Sequence, residues 1–556
     1  MKAMILAAGF GTRLQAIEKL PKPLVQIYND ISIIDNVIDL ISKAGITEIA
    51  VNLHHEKDLI RQYLVSKYKK IKWIFFEEQP DILGTGGGIL NAKDFFTDSY
   101  GLVINSDILC FPNLNKYIES HIASNEIVSL LLKPSGNGIP QALSYNDKEG
   151  LTAFLSKEGK PFYNMLPPGP NDLFGNFTGI QIFSKHFFDF FEGKSGYFSI
   201  TDIYARMAKN KQKVNIISIG KEYWKDVGTP ETLEEGRDEF KAIIQCCDLK
   251  DISHIEWLFK GASSKTTLRI HYKALDKKPE ILSISDDLNE IKGIIAFSDF
   301  FKDTAFHVPQ IIKKSSNEKH NILLMEDGGS LSLHEFYKIR NFNTEIINKY
   351  TKKSVDILIT LANIKTDNFP YTYGVRKEFD YKNILFDINY YNNNYRKGKE
   401  TPLKEKDIEA LAKGIHKIFE DNLPKVIMHR DFQTTNILIE EKSEKLMVID
   451  LQTMRLGYSF YDLASLLLDN YVPINDNIID NMLSYFMQEL NYDKKLKDIF
   501  WVTALIRKIQ NLGCFMLLGE SDVFFKEHVK SAERGLWYIK EKLNKTEYKK
   551  LLKYFN

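Results

Sequence analysis

A glycine-rich segment follows the first apolar run of the sequence. Ala3–Leu6 leads into Ala7-Ala8-Gly9-Phe10-Gly11-Thr12-Arg13, and Lys22 lies between two prolines a little further on. Glycine allows main-chain amides to approach an anion closely, and Arg13 and Lys22 would add positive charge beside triphosphate oxygens. The segment fits neither G-x-x-x-x-G-K-S/T nor G-x-G-x-x-G, which weakens the P-loop and dinucleotide interpretations. It therefore indicates either an ordinary turn or a nucleotide-binding loop of another type.

Together with Pro21-Lys22-Pro23-Leu24, this loop resembles the signature of sugar-1-phosphate nucleotidylyltransferases. Two further segments agree with that family. Leu83-Gly84-Thr85-Gly86-Gly87-Gly88 resembles its base-binding turn, and Trp224–Glu231 resembles its W-x-D-V-G-T segment. The resemblance implies an α/β domain that binds a nucleoside triphosphate.

Two aspartates in these regions are candidate metal ligands. Asp107 ends the strand-like run Val103–Asp107, and Asp226 lies in the Trp224–Glu231 segment. An aspartate at a strand end would by itself more often cap a helix. The family resemblance implies instead that Asp107 and Asp226 hold one Mg²⁺ ion shared by the nucleotide and the sugar phosphate.

The reaction implied by the resemblance is an in-line displacement. A sugar 1-phosphate oxygen attacks the α-phosphorus of the nucleotide, pyrophosphate leaves, and no covalent nucleophile is required. Arg13 would stabilise the departing pyrophosphate, and Lys22 the phosphates around the α-phosphorus. The residues expected to bind the nucleotide are Ala8, Gly9, Gly11, Thr12, Gly84 and Thr85.

Within this family the sequence looks most like N-acetylmuramate α-1-phosphate uridylyltransferase. The likeness rests on Gly84–Gly88, Trp224–Glu231 and the run Asn176-Phe177-Thr178-Gly179-Ile180. Asn176, Thr178 and Gly179 would lie near the sugar. Where other members often carry a Glu-Lys-Pro stretch that touches the sugar, this sequence has Ser156-Lys157-Glu158-Gly159-Lys160-Pro161.

A second set of candidate catalytic residues lies in the C-terminal half. His429-Arg430-Asp431 precedes Asn436 at the spacing H-R-D-x-x-x-x-N, and Asp450 ends another apolar run nineteen residues after Asp431. This spacing suits a carboxylate that faces a substrate hydroxyl and an amide that faces magnesium. A lone His-Arg-Asp is often accidental, but its register with Asn436 and Asp450 favours a phosphotransfer site.

Other protein-kinase motifs are missing from this half: D-F-G, A-P-E and an early G-x-G-x-x-G do not occur. The half resembles the aminoglycoside phosphotransferase and choline kinase superfamily. Tyr461–Leu467 and Arg507–Gly513 resemble one branch of it, the N-acetylmuramate and N-acetylglucosamine anomeric kinases. Asp462 fits a structural role better than a catalytic one.

The kinase resemblance implies roles for four residues. Asp431 would orient or deprotonate the anomeric hydroxyl that attacks the γ-phosphate of ATP, while Asn436 and Asp450 would hold Mg²⁺. Glu326 belongs to a hinge-like segment that would meet adenine. The cation for the ATP phosphates stays open among Lys265, Arg269 and Lys273.

The order of predicted strands and helices in the N-terminal half shows how the first set of residues could be brought together. Strand-like runs alternate with helical segments such as Ile33–Lys43 and Asp58–Tyr68, which predicts βαβ units around a parallel sheet with ligands at the strand C-termini. The strand-like runs are Ala3–Leu6, Glu48–Asn52, Trp73–Phe76 and Gly101–Ile104. We expect a Rossmann-like nucleotidyltransferase domain with a mostly parallel sheet over residues 1–245.

The rhythm changes near Asp251, where a second domain is expected over residues 250–556. Strand-like Leu268–Ile284, a helix at about Asp287–Thr304 and a strand at Asn321–Met325 precede mostly helical patterns. This order predicts a bilobal, protein-kinase-like α+β domain of the aminoglycoside phosphotransferase type. Asn389–Tyr395 predicts a polar loop.

Composition narrows the class of protein. The chain has 556 residues, with 74 Lys and Arg against 73 Asp and Glu, so no net field favours nucleic acid or anionic lipid. The four cysteines have no paired spacing, and no apolar run reaches about 18 residues. We expect a globular, cytoplasmic protein with no disulfides, no membrane segment and no nucleic-acid partner.

The two resemblances fit one pathway, because a kinase would make the sugar α-1-phosphate that a nucleotidylyltransferase consumes. The sequence thus indicates a bifunctional enzyme that uses ATP, UTP and an amino sugar, with Mg²⁺ as cofactor, and it leaves the oligomeric state open. One alternative keeps both superfamilies, namely choline kinase fused to CTP:phosphocholine cytidylyltransferase, although no cage for a quaternary ammonium is evident. A regulatory binding protein without activity is another, which the retained catalytic residues oppose.

Overall fold

The computed structural model describes residues 1–14, 18–135, 143–156, 159–163, 165, 167–260, 265–317, 319–370, 377–519 and 523–555. Lys157 and Glu158, in the stretch that stands where other members carry Glu-Lys-Pro, lie outside the described residues. The chain folds into two compact units, Met1–Ile284 and Ser285–Asn556.

The first unit is built on a large sheet with helices on both faces. The strands of this unit, of which β1, β4–β6 and β8–β12 form the large sheet, are β1 (Lys2–Leu6), β2 (Gln26–Tyr28), β3 (Ile31–Ser32), β4 (Glu48–Leu53), β5 (Lys72–Glu77), β6 (Gly101–Asn105), β7 (Ile108–Cys110), β8 (Val128–Pro134), β9 (Leu143–Asn146), β10 (Gly150–Phe154), β11 (Leu173–Phe183), β12 (Asn215–Ser218), β13 (Trp224–Asp226), β14 (Ile252–Lys260), β15 (Thr266–Tyr272) and β16 (Glu280–Ser285). Its helices are α1 (Ile33–Lys43), α2 (Lys57–Lys67), α3 (Gly84–Asn91), α4 (Leu114–Ser124), α5 (Ile200–Lys209) and α6 (Pro230–Cys246).

The centre of the sheet is parallel. β1 pairs with β4, with Ala3 opposite Ile49, and with β6, with Lys2 opposite Gly101. β5 extends the parallel set beyond β4, while β11 joins β6 in antiparallel fashion, which gives the order β10-β9-β11-β6-β1-β4-β5. The expected α/β class with a Rossmann-like sheet is confirmed. Because the carboxyl ends of β1, β4 and β6 meet at one edge, residues that follow them can share a site.

Burial on both sheet faces explains the apolar strands. Ala3 and Ile5 belong to one core cluster and Met4 to another, since alternate side chains of a strand point to opposite faces. Helix α1 begins at a capping box formed by Ser32 and Asp35, which satisfies amides at its first turn. Its bounds are those expected from the sequence.

The glycine-rich run after Leu83 differs from the turn expected there. The run forms α3, whose first residue, Gly84, has φ +72°. A Cβ on Gly88 would lie 2.8 Å from Asn52 Nδ2, so close packing requires a residue without a side chain. The amide of Gly86 donates to the Phe198 carbonyl at 3.0 Å, which holds the start of the helix.

The second unit is mostly helical. Its strands are β17 (Ile311–Ser316), β18 (Asn321–Glu326), β19 (Leu331–Ser332), β20 (Lys425–Met428), β21 (Ile437–Glu440), β22 (Lys445–Val448) and β23 (Arg455–Tyr458). Its helices are α7 (Leu288–Phe301), α8 (Leu333–Ile339), α9 (Thr344–Asn363), α10 (Tyr381–Tyr391), α11 (Lys397–Lys399), α12 (Glu405–Asn422), α13 (Phe460–Leu467), α14 (Asp476–Glu489), α15 (Lys497–Leu518) and α16 (Val523–Leu543).

The prediction of a polar loop over Asn389–Tyr395 is wrong. The segment continues α10 and passes into a π-helical turn over Asn392–Arg396. Tyr391 and Tyr395 stack at 5.3 Å between ring centroids and are buried in the core of the unit. Tertiary packing of the two rings therefore outweighs the weak helix propensity of the asparagines.

Within the described part of the chain, every helix is too short or too polar to span a bilayer. The four cysteines, Cys110, Cys246, Cys247 and Cys514, are free thiols.

Candidate active sites

A cavity of about 350 Å³ opens at the carboxyl edge of β1, β4 and β6. It is lined by seven residues that the sequence predicts for nucleotide, phosphate or metal binding: Ala8, Gly9, Gly11, Lys22, Gly84, Thr85 and Asp107. Thr12 and Arg13 are exposed beside it and do not line the cavity itself. The loop after β1 and the start of α3 thus contribute to one cavity.

Lys22 and Asp107 form an ion pair within this cavity. Lys22 stands between two prolines and is the first residue of a short 3₁₀ turn. Its Nζ lies 2.5 Å from Asp107 Oδ2. Gly11 adopts φ +66°, and a Cβ there would lie 2.8 Å from Lys22 Cβ. The glycine therefore permits the loop to pack directly against the lysine stem.

Asp226 and Arg13 converge on the same place. The position that a Cβ would take on Gly228 lies 2.7 Å from Asp226 Oδ1, 3.0 Å from Lys22 Nζ and 3.2 Å from Arg13 Nη2. β13, which ends at Asp226, pairs with β7, which begins directly after Asp107. Two carboxylates and two cations that lie far apart in the sequence are therefore brought together.

This cluster suits a divalent cation and phosphate groups. Asp107 and Asp226 offer the carboxylate oxygens that Mg²⁺ prefers; Asp107 pairs with the Lys22 ammonium, and Asp226 lies beside the same point next to Gly228. Arg13 and Lys22 lie near the same point and carry the groups that could donate hydrogen bonds to phosphate oxygens. Mg²⁺ held by these two carboxylates would supply positive charge that offsets the charge of the phosphates.

The floor of the cavity contains a buried polar pair that the sequence motifs do not indicate. Asn52, in β4, accepts a hydrogen bond from the Ala7 amide at 2.8 Å and donates to Glu78 Oε1 at 2.7 Å. Glu78 Oε2 accepts from the Leu83 amide at 2.7 Å. The pair thus ties the loop after β1 to the start of α3. Its only sequence signal is that each residue stands at or just after a strand end.

The expected sugar-binding run lies in and beside an irregular part of β11. The Thr178 hydroxyl is buried and donates to the Leu131 carbonyl at 2.8 Å, so its side chain points into the sheet. Gly179, with φ +79°, faces Asn105, which lines the cavity. Asn176 is half-buried and pairs in register with Lys133. Gly179 is the member of the run that packs against a residue of the cavity wall.

The second candidate site lies on the loop after β20. Asp431 forms an ion pair with Arg507 of α15, and Gln433 Nε2 donates to Asp431 Oδ1 at 2.6 Å. Asn436 Nδ2 donates to the Asp431 carbonyl at 2.9 Å. The carboxylate is thus held on one side by a guanidinium that lies 76 residues away in sequence. The segment around Arg507 carries a family resemblance, but its spacing does not indicate the contact with Asp431.

Asn436 and Asp450 lie next to each other across a backbone contact. The Ile449 amide donates to the Asn436 carbonyl at 3.0 Å, and Asp450 follows at φ +70°, a conformation that a non-glycine residue rarely adopts. The amide oxygen of Asn436 and the carboxylate of Asp450 are suitable Mg²⁺ ligands.

Glu326, which the sequence predicts in the segment that meets adenine, is exposed at the end of β18.

Two buried aspartates hold the backbone of the loop that carries Asp431, which is a structural role rather than a catalytic one. Asp462 accepts hydrogen bonds from the amides of His429 and Arg430 at 2.6 and 2.8 Å. Burial raises the pKa of the Asp462 carboxyl to about 6. Asp469 accepts from the Thr434 amide and hydroxyl at 2.8 and 2.7 Å. These contacts fix the loop backbone on both sides of Asp431, and the structural role expected for Asp462 agrees with them.

A buried charge cluster lies beneath the same loop. Asp387 of α10 is fully buried, neither of its carboxylate oxygens has a hydrogen-bond partner among the described residues, and Arg430 Nη2 lies 3.6 Å away. Burial raises the pKa of Asp387 to about 6, while Arg430, Arg507 and Arg455 oppose that rise.

Two family models match the chain side by side. Residues 2–242 match the nucleotidyl transferase family, and residues 264–489 match the phosphotransferase enzyme family. The chain therefore carries an N-terminal nucleotidyl transferase domain and a C-terminal phosphotransferase domain. Its N-terminal domain has sugar-1-phosphate nucleotidyltransferases among its homologues.

Similar proteins cover the N-terminal half. Mannose-1-phosphate guanylyltransferase catalytic subunit beta of Dictyostelium discoideum is 30% identical over 246 residues, which is 42% of this chain and 63% of that protein. Bifunctional protein GlmU of Methanococcus aeolicus is 28% identical over 41% of this chain and 52% of its own length. The chain thus spans less than two thirds of these relatives. UDP-glucose pyrophosphorylase from Acinetobacter baumanii matches 43% of this chain and 92% of its own, at 19% identity and a TM-score of 0.36.

Proposed function

We propose that this enzyme phosphorylates N-acetylmuramate or N-acetylglucosamine at the anomeric hydroxyl with ATP, and then transfers a uridylyl group from UTP to the sugar α-1-phosphate. The products are ADP, pyrophosphate and a UDP-sugar for use in cell-wall sugar recycling. We assign the second step to residues 1–245 and the first to residues 250–556, with both steps in the cytoplasm. The observation that carries the proposal is that one chain joins two domains of which one can make the substrate of the other.

In the N-terminal domain, the convergence at Gly228 supports the uridylyl transfer. Asp107 and Asp226 would hold Mg²⁺ against the triphosphate, Lys22 would contact the phosphates around the α-phosphorus, and Arg13 the departing pyrophosphate. The cavity beside them has the glycine-lined wall that close approach of a nucleotide requires. The sugar phosphate would enter on the side of Gly179.

In the C-terminal domain, the contacts of Asp431 support a small-molecule kinase. Asp431 would accept or orient the proton of the anomeric hydroxyl, and Asn436 with Asp450 would hold Mg²⁺ at the γ-phosphate. Arg507 binds Asp431 directly and so fixes the direction of its carboxylate. A carboxylate oxygen of Asp431 would accept the hydrogen bond from that hydroxyl.

Product analysis by mass spectrometry tests the substrates. The full-length protein is incubated with Mg²⁺, each of ATP, UTP, GTP and CTP in pairs, and a panel of N-acetylmuramate, N-acetylglucosamine, mannose and choline. The proposal expects ADP, pyrophosphate and a UDP-amino sugar. The panel includes GTP and mannose because one relative is named as a mannose-1-phosphate guanylyltransferase. Release of neither ADP nor pyrophosphate with either amino sugar and UTP would contradict the proposal, and a CDP-choline product would establish the alternative.

A further inference from the structure

Two histidines and a glutamate form a cluster on one face of the β14–β15 ribbon. His254 lies opposite His271 in the strand register, and their imidazole rings stack at 4.0 Å between centroids. Glu256 follows His254 by two residues, and its Oε2 lies 3.5 Å from His271 Nε2. The potential ligand atoms of the three side chains all lie within 4.8 Å of one another. None of the three lines the nucleotide cavity of this unit.

The hydrogen bonds around the cluster leave donor atoms for a further ligand. His271 Nε2 is buried and has no hydrogen-bond partner among the described residues. His254 Nδ1 lies 2.9 Å from Ser253 Oγ, so Nε2 is the ring nitrogen that this contact leaves for a metal. This is the arrangement of metal-binding histidines, whose second ring nitrogen usually contacts a polar group that fixes the ring.

Glu256 is held from the outside by a cation. Arg269 Nη1 lies 3.4 Å from Glu256 Oε2, the same oxygen that faces His271, so Oε1 is the oxygen that can turn to a metal. The arginine would then act as an outer partner that orients the carboxylate. A cluster of this kind without a metal leaves a buried imidazole nitrogen unsatisfied, which costs free energy.

We propose that His254, Glu256 and His271 bind a zinc ion, separate from both Mg²⁺ sites. Two imidazoles and one carboxylate form a donor set that suits Zn²⁺, whereas Mg²⁺ prefers oxygen donors alone. Ligand atoms around a tetrahedral zinc lie about 3.3 Å apart, so the spread of 4.8 Å closes by small side-chain rotations. A water molecule would complete the coordination.

The position of the cluster predicts what the metal does. β14 is bonded to the strand region that carries Asp226, since the Tyr223 amide donates to the Ile255 carbonyl at 2.8 Å and the Ile255 amide donates to the Phe111 carbonyl at 3.0 Å. A zinc ion that joins β14 to β15 would therefore stabilise the segment that follows α6 against the nucleotidyl transferase sheet. Its role is structural, and chemistry at Asp107 does not require it.

Cobalt substitution tests the site without relying on activity. Full-length protein without an affinity tag is stripped with EDTA and titrated with Co²⁺ in excess Mg²⁺, so that oxygen-donor sites stay occupied by Mg²⁺. We expect one equivalent of Co²⁺ with the intense visible absorption of tetrahedral coordination, and its displacement by Zn²⁺, which binds such sites more tightly. Zn²⁺ should also raise the unfolding temperature, as any ligand of the folded state does.

Matched variants assign the ligands. H254A, E256Q and H271Q should each lower Co²⁺ affinity by more than about tenfold. The control is H186A, because His186 pairs with Asp189 at 3.5 Å on the exposed surface and belongs to no cluster of three among the described residues. If the wild-type protein gives no tetrahedral spectrum, or if H186A loses as much affinity as the cluster variants, the proposal is wrong. The wild-type titration alone can refute the zinc site, so the test does not depend on the folding of any variant. A failure of UDP-sugar synthesis would leave the zinc site untouched, because the titration does not measure activity.

Discussion

Lys22 is the cation on which the nucleotidyl transferase site is centred. Its Nζ lies 2.5 Å from Asp107 Oδ2 and close to Asp226 Oδ1 and Arg13, and its side chain is only 12% exposed. We consider the change K22M, which keeps the length of the stem and removes the charge. The variant should fold, because the methylene groups that pack against Gly11 stay in place.

The expected loss follows from what Lys22 contacts. A hydrogen bond to a charged group contributes about 1.5–3 kcal/mol, and removal of one donor aimed at charge that develops in the transition state costs about 10²–10³ in kcat. Asp107 also loses its partner, and its unpaired charge would repel the triphosphate. We therefore expect pyrophosphate release from UTP and sugar α-1-phosphate to fall about 10²–10³-fold, with partial recovery in K22R.

The assay supplies sugar α-1-phosphate directly and follows pyrophosphate, while ADP release from ATP and free sugar reports the kinase domain of the same chain. ADP release should be unchanged in K22M. The matched control is K2M, because Lys2 pairs with Asp98 at 2.7 Å at the opposite end of β1. A K22M enzyme that keeps pyrophosphate release within about threefold of wild type, or one whose loss K2M reproduces, would refute the role assigned to Lys22.

Two further predictions concern backbone and burial. G179A places a methyl group 2.8 Å from Asn105 Nδ2 at a residue with φ +79°. We therefore expect a raised KM for sugar α-1-phosphate with little change in ADP release. An unchanged KM would contradict the placement of the sugar. Because burial raises the pKa of Asp387 from 3.8 to about 6, the folded protein loses about 3 kcal/mol of stability as pH rises from about 4 to 6. D387N cannot ionise, so its unfolding temperature should rise relative to wild type as the pH increases from about 4 to 6. A constant difference over that range would show that the carboxyl is not perturbed.

Local patterns predicted much of the fold. The bounds of α1 follow from its apolar spacing and its capping box, and the parallel strands β1, β4 and β6 follow from short apolar runs buried on both faces. Both candidate sites lie where strands end, and the sequence predicted Asp107 and Asp431 directly after apolar, strand-like runs. The matches of residues 2–242 and 264–489 confirm the two classes of domain.

The features that local patterns did not predict depend on contacts between distant segments. Glycines after Leu83 favour a turn by propensity, yet they form α3, in which Asn52 and Phe198 lie too close to admit side chains. The pairing of Arg507 with Asp431 joins α15 to a loop 76 residues earlier, and nothing in either segment specifies it. The side chain of Thr178 is buried where the pairing of β11 is irregular, and the alternation of inward and outward residues along a strand does not predict that burial.

A paired test of two aspartates addresses the central claim that the two domains act in sequence on one sugar. Wild-type, D431N and D107N proteins are each given ATP, UTP, Mg²⁺ and the amino sugar, and ADP, sugar α-1-phosphate, pyrophosphate and UDP-sugar are measured. We predict that D107N releases ADP and accumulates sugar α-1-phosphate, and that D431N makes UDP-sugar only when sugar α-1-phosphate is supplied. If D431N still makes UDP-sugar from the free sugar, or if added sugar α-1-phosphate does not restore UDP-sugar synthesis in D431N, the two-step account is contradicted.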